Sequence, residues 1–252
     1  MKALWLIAAL AATSQADPPT ATDAAPAQDS SIAAAAPAPP ARYDLRSAHA
    51  AGGDALAGKG KSEVCAACHG GDGIAITPAF PNLAGQKQSY LYWILQAYKS
   101  GRMPESPMTA MAAALEEQDI RDLSAYYANL PVPPADPKAP PIDLDPALLS
   151  QGQAIYMAGD TSKGIPPCQG CHGADGRGNP QAAFVDRSGR TPYAAYPALR
   201  GQQNDYLQTR LQQFHDDAID ASSNSRVMHG IGQRLDADSI KAVSTWLSSL
   251  KQ

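Results

Sequence analysis

The sequence predicts an all-α chain made of two tandem copies of one small helical domain. Three observations carry this. A five-residue word, Cys-x-x-Cys-His, occurs at Cys65–His69 and again at Cys168–His172, 103 residues later. The segments that follow each word match one another. Apolar residues recur at helical spacing, and no stretch alternates as a half-buried strand would.

The elements follow in order. Lys2 and the apolar run Leu4–Ala12 are followed by Ser14-Gln15-Ala16. This reads as a secretory signal, residues 1–16, because the run is too short to span a bilayer. Residues 17–44 are mostly Ala, Pro, Asp, Thr and Ser, and read as a disordered spacer. His49 falls in a flexible lead-in. The first domain covers 45–130 and the second 144–252. The Pro-rich stretch 131–143 between them reads as a semi-rigid linker. Ser89–Lys99 and Asp205–Phe214 are predicted as one helix pair. Asp119–Leu130 and Ser239–Leu250 are another, each preceded by acidic residues that suit a helix start. Gln151–Ala158 is a helix leading into the second Cys word.

The duplication shows in the residues themselves. NLAGQKQSYLYWILQAY from Asn82 matches ALRGQQNDYLQTRLQQF from Ala198, pairing Gly85 with Gly201, Gln86 with Gln202 and Tyr90 with Tyr206 at an offset of 116. The closing helices match at an offset of 120. The second copy therefore carries about thirteen extra residues around Phe184–Ala195. Insertions of this kind belong in loops.

Cys-x-x-Cys-His is the attachment word for c-type haem. Two sulfurs at that spacing reach the two vinyl groups of one porphyrin, and the next residue's imidazole lies under the ring. A thioredoxin-type dithiol needs no such His, and a zinc cage would use four thiolates. Neither accounts for a His at the same offset twice. All four cysteines of the chain lie in these words. The cofactors expected are two covalently attached haem c groups, bound by Cys65, Cys68, Cys168 and Cys171, with His69 and His172 as axial iron ligands. The sixth iron position decides function, and a Met thioether there gives a closed, high-potential carrier. Aligning the last helices pairs Met228 with Met108, so these two are the expected distal ligands. Met103 and Met111 are read as packing residues, and Met157 as core. His229 is the rival to Met228. In an extended segment, adjacent residues point opposite ways, so only one of the two could face the iron. His215, beside Asp216 and Asp217, is read as solvated or helix-capping.

With these words in place, the chain resembles the cytochrome c4 family over about residues 54–252. The match includes FPNLAGQ from Phe80, MTAM at Met108–Met111, YPALRGQ from Tyr196 and VMHGI from Val227. The resemblance implies two tandem class I cytochrome c-like domains, each with one covalent haem, the two haems facing edge-on across the domain interface. It also implies that the carbonyls of Pro81 and Pro197 accept the proximal His Nδ1–H. The long lead and the Phe184–Ala195 insertion depart from the family pattern.

The function expected is electron transport in the periplasm, not enzymatic catalysis. The chain would carry electrons from a respiratory quinol-oxidising complex or a dehydrogenase to a terminal oxidase. The alternative is the dihaem subunit of a flavoprotein or alcohol dehydrogenase complex; a peroxidase would need an open iron. Redox proteins are the expected partners, with any membrane association arising through them. A net charge of −4 argues against nucleic acid. The thioether reading has a direct check. Intact mass of the denatured mature chain should show two haem additions and no free thiol; colour extracted by acid acetone would contradict it.

Overall fold

The computed structural model describes residues 42–132 and 144–250. The predicted signal, most of the spacer and most of the Pro-rich linker lie outside them. The described residues all belong to one compact unit. Helices occupy Ala55–Lys61 (α1), Glu63–His69 (α2), Gln88–Lys99 (α3), Pro107–Ala113 (α4) and Glu117–Asn129 (α5). The second copy repeats them as Pro146–Ala158 (α6), Gln169–His172 (α7), Asn204–His215 (α8), Ser223–Gly232 (α9) and Ala237–Ser249 (α10). Among the described residues there is no strand, only isolated bridges such as Tyr43 with Ser222 and His49 with Arg190.

Each half is built on one close helix crossing. α1 crosses α5 and α6 crosses α10. Both crossings turn on a glycine. A Cβ on Gly58 would lie 2.1 Å from the Asp122 carbonyl oxygen, and one on Gly152 would lie 2.1 Å from that of Ala242. No side chain fits at either point. Above the second crossing Tyr156 is fully buried, its ring 4.9 Å from Trp246. Its hydroxyl donates to the Gly173 carbonyl at 2.6 Å, tying α6 to the end of the second Cys word.

The helix ends are capped by short polar side chains, which satisfy otherwise unpaired N–H groups. Asp54 accepts from Leu56 and Ala57, Asp145 from Ala147, and Asp236 from Ser239. Ser222 and Ser225 form a reciprocal capping box on α9.

At the lead the structure departs from the sequence reading. The composition ends the spacer at residue 44 and puts His49 in a flexible lead-in. Instead the segment from Arg42 is held on the second half. Tyr43 N–H donates to Ala221 O at 3.2 Å, and Ser223 N–H returns to Tyr43 O at 2.9 Å. Arg42 pairs with Asp220. Thr191 N–H donates to Ala48 O at 2.7 Å. The reason is backbone pairing with partners about 140 to 180 residues away, which composition does not encode. The strap also touches the first half, where the Tyr43 ring lies 4.7 Å from Trp93. Thus the lead and the insertion, the two departures from the family pattern, pack on one another.

Asp122 distinguishes the first crossing from the second, where Ala242 stands. Its side chain is buried, and it accepts from Asp54 N–H at 2.9 Å, Gln118 at 2.8 Å and Lys61 at 2.7 Å. Lys61 and these N–H donors hold its carboxyl at about 2, below the usual 3.8. A depressed pKa stabilises the fold above the unfolded value, and that stability disappears as pH falls through the folded value. Asp122→Asn should therefore lower the melting temperature at neutral pH. The gap from wild type should close as pH falls from 3.8 towards 2. A gap that stays constant with pH would refute the assignment.

Candidate functional site

Each Cys word winds into one helical turn that ends in a buried His. His69 and His172 are each 6% exposed. The chain then turns back at a glycine. Gly73 O accepts from Leu83 and Ala84, and Gly176 O from Leu199 and Arg200. This return brings a proline carbonyl under the imidazole. His69 Nδ1 lies 2.9 Å from Pro81 O, and His172 Nδ1 lies 3.1 Å from Pro197 O. A carbonyl only accepts, so each Nδ1 carries the proton and each Nε2 keeps a free lone pair. Burial pushes both imidazoles below the ordinary histidine range and so favours the neutral form, while the carbonyl contact pulls the other way. An aromatic ring packs beside each, Phe80 at 6.2 Å from His69 and Tyr196 at 6.3 Å from His172.

The sulfurs face the apolar side of the same turn. Cys65 packs with Leu91, Leu123 and Tyr127, and Cys168 with Tyr156, Leu207 and Trp246. Burial pushes the Cys168 thiol up to about 11 and the Cys65 thiol above its usual value. A reactive dithiol needs the opposite shift. Among the described residues no three His, Cys, Asp or Glu side chains gather into a metal cage, and all four cysteines are unpaired. A zinc cage is therefore not assembled. What remains in each half is two thiols one turn apart, the first of them on an apolar floor, plus an oriented imidazole donor. That donor set fits a covalently bound haem.

These pairs lie within chains that similar proteins share. The cytochrome c family model matches residues 53–131 and 149–251. Cytochrome c4 of Azotobacter vinelandii is 37% identical over 213 residues, covering 81% of this chain and 91% of the relative. The chain belongs to the cytochrome c4 family. The crystal structure of reduced recombinant cytochrome c4 from Pseudomonas stutzeri superposes with a TM-score of 0.64 at 34% identity, covering 79% of this chain and 99% of that one. A protein named thiosulfate dehydrogenase electron acceptor, from Thiomonas intermedia, is 30% identical over 73% of this chain and 77% of its own length. As a cytochrome c4 the chain is a dihaem c-type electron-transfer protein, a carrier and not an enzyme.

The methionines occupy different settings. Met108 sits in the first turn of α4 and Met228 in the middle of α9. The segment around Met228 was read as extended; it is helical, because the Ser222–Ser225 box starts a helix there. Adjacent residues on a helix are about 100° apart, so the opposite-faces argument against His229 does not apply. His229 is instead engaged elsewhere, its Nδ1 2.8 Å from Phe214 O and 3.5 Å from Asp217. His215 is half-buried, its Nδ1 3.1 Å from the carbonyl of Gly232 at the end of α9, a helix-capping position. The caps Ser106 and Ser222 are 116 residues apart, whereas Glu116 and Asp236, which open the last helices, are 120 apart. The four extra residues lie within the α9 segment. Four residues are close to one helical turn, so Met228 keeps its face whichever end is aligned. Met103 packs with Ala97, Ile219 and Ala221 in a core shared by both halves. Met111 is 37% exposed. Met157 lies beside the second-half core.

The seam between the halves contains residues whose role the sequence reading did not assign. Gln202 accepts from Asn82 N–H at 2.7 Å and donates to Asn82 O at 3.0 Å. Gln86 accepts from Ala198 N–H at 2.8 Å and donates to Ala198 O at 2.9 Å. Each half thus grips the residue directly after the other half's His-binding proline. All three polar side chains, Asn82, Gln86 and Gln202, are 6% exposed. The signal was present as the repeated Gly-Gln after each Pro-x-Leu-x pattern. Gln86→Leu or Gln202→Leu leaves a buried N–H and C=O unpaired and should cost about 2 kcal/mol. Urea unfolding would measure it. The Gln86→Leu change should also disturb the NMR signals of His172, across the seam. Signals altered only around His69 would count against the clamp.

Proposed function

We propose that the chain is a periplasmic electron shuttle in which His69 with Met108, and His172 with Met228, are the axial ligand pairs of two low-spin haems. The carrying observation is the pair of imidazoles pinned at Nδ1 by Pro81 and Pro197, each with Nε2 left free. A carbonyl partner fixes the ring and makes Nε2 a stronger donor. A bound haem supplies one-electron chemistry without breaking or making substrate bonds. The protein's part is to hold the ligands still, so that little moves when the charge changes. The crossed Gln86 and Gln202 clamps support this by tying the two proximal loops together.

Cys65, Cys68, Cys171 and Cys168 hold the porphyrins as thioethers. Residues 1–16 carry the export signal, and the route runs from a quinol-oxidising complex or dehydrogenase to a terminal oxidase. A second reading places a thiosulfate-oxidising dehydrogenase as donor, favoured by the relative from Thiomonas intermedia named for that role. Pull-down from periplasm and membranes separates the two by the redox enzyme recovered.

The axial assignment predicts that Met108→Ala and Met228→Ala each remove half of the near-infrared sulfur-to-iron band and lower one midpoint potential. Met111→Leu should leave the band intact. Wild-type ferrous protein should bind little carbon monoxide at neutral pH. Stoichiometric binding at one haem would defeat the carrier reading for that half.

A further inference from the structure

The seam is not symmetric. Tyr90 and Tyr206, equivalent by the duplication, meet with their hydroxyls 3.5 Å apart. Beside them Ile94, Tyr98 and Phe214 pack against the apolar core that holds Met103. At the offset of 116 the equivalents of Ile94 and Phe214 are Arg210 and Tyr98, and the Arg210 guanidinium donates to Tyr98 OH at 3.0 Å. The duplication therefore has one cation where its copy has an isoleucine.

Arg210 has no anion. No carboxylate lies within ion-pair distance of it among the described residues. Its neighbours are the Gln213 amide at 3.0 Å, Tyr206 OH at 3.5 Å, and the Tyr206 ring face at 5.2 Å. The titratable groups that act on it are Tyr206, Tyr98 and Tyr90. Its Nε is closed off from solvent and has no partner. A buried charge without a counter-charge is costly, and an unpaired buried N–H adds to that.

The cofactor can supply the missing anion. Each haem carries two propionates, on the porphyrin edge opposite the vinyl groups that the cysteines consume. The cysteines are seated in the core of their own half, beside α5 and α10. A haem held by those cysteines would turn its carboxylate edge away from those cores. α3 and α8 connect the proximal loops to the segments bearing Met108 and Met228, and their Tyr90, Tyr98, Tyr206 and Arg210 form the seam. We propose that Arg210 binds a haem propionate at the seam, with Tyr98 and Tyr206 steadying the guanidinium, and so raises that haem's potential. The proposal rests on the two covalent haems and not on the choice of redox partner or of distal ligands.

Spectroelectrochemical titration of the holoprotein tests it. Arg210→Gln should lower one of the two midpoint potentials, shifting that haem's electron equilibrium about tenfold, or 59 mV for one electron. Arg210→Lys, which keeps the charge, should move it much less. In wild-type protein the redox-difference infrared spectrum should show a propionate that stays ionised as the pH is lowered to about 3.5, below the ordinary carboxyl range, because an arginine partner depresses a carboxyl pKa. Removal of Arg210 should bring that carboxyl into titration. If Arg210→Gln folds with both potentials unmoved, the proposal is wrong. If Arg210→Gln does not fold, the wild-type infrared measurement still decides, since propionates that all titrate as free carboxyls would overturn it. Loss of the near-infrared band or carbon monoxide binding in wild type would instead count against the axial ligand assignment.

Discussion

The hydrogen bond from each proximal imidazole to a proline carbonyl is the constraint around which both halves are arranged. It requires a buried His at the end of a short helix, and a chain that reverses to bring a carbonyl beneath it. Gly73 and Gly176 make that return by accepting two N–H groups each. Phe80 and Tyr196, just before the prolines, pack against the imidazoles. Asn82 and Ala198, just after them, are the residues the opposite half grips. One donor–acceptor pair thus links ligand orientation to the association of the halves.

This linkage bears on the function of a two-haem carrier. Electron transfer within the molecule benefits from centres held at a fixed separation. Four hydrogen bonds from two glutamines act on backbone, not on mobile side chains, and they lie out of solvent where such bonds are strongest. The strap from Arg42 adds a second tie, crossing from Ala221 and Thr191 of the second half to Trp93 of the first. The insertion around Phe184–Ala195 serves as its landing site. Through Tyr193 and Tyr196 it also continues the aromatic packing towards His172.

Duplication followed by divergence explains the asymmetries. Asp122 fills the first helix crossing with a charge network where Ala242 leaves the second apolar. Arg210 places a cation where Ile94 makes a core contact. Neither change disturbs the crossing glycines, because no Cβ can be accommodated at Gly58 or Gly152. The shared framework is kept where backbones touch, and variation is confined to positions where a side chain can be exchanged.

Much of this was legible in the residues. The Cys-x-x-Cys-His words, the helical periodicity and the repeat at offsets of 103, 116 and 120 specify two haem-binding helical units by local chemistry alone. Covalent attachment and helix formation depend on neighbours within a few residues, so sequence determines them. The α9 helix is not evident in the sequence because it opens on a Ser–Ser capping box and carries Gly230 and Gly232 in its last turn, a composition that reads as a loop. What only the tertiary structure decided is long-range. His69 reaches a carbonyl 12 residues away and His172 one 25 residues away, because the insertion loops out without moving Pro197. The glutamine clamps span 112 and 120 residues, and the Arg42–Ala51 strap spans more. Such pairings follow from which surfaces meet when two cores pack, and no local pattern in the chain encodes that meeting.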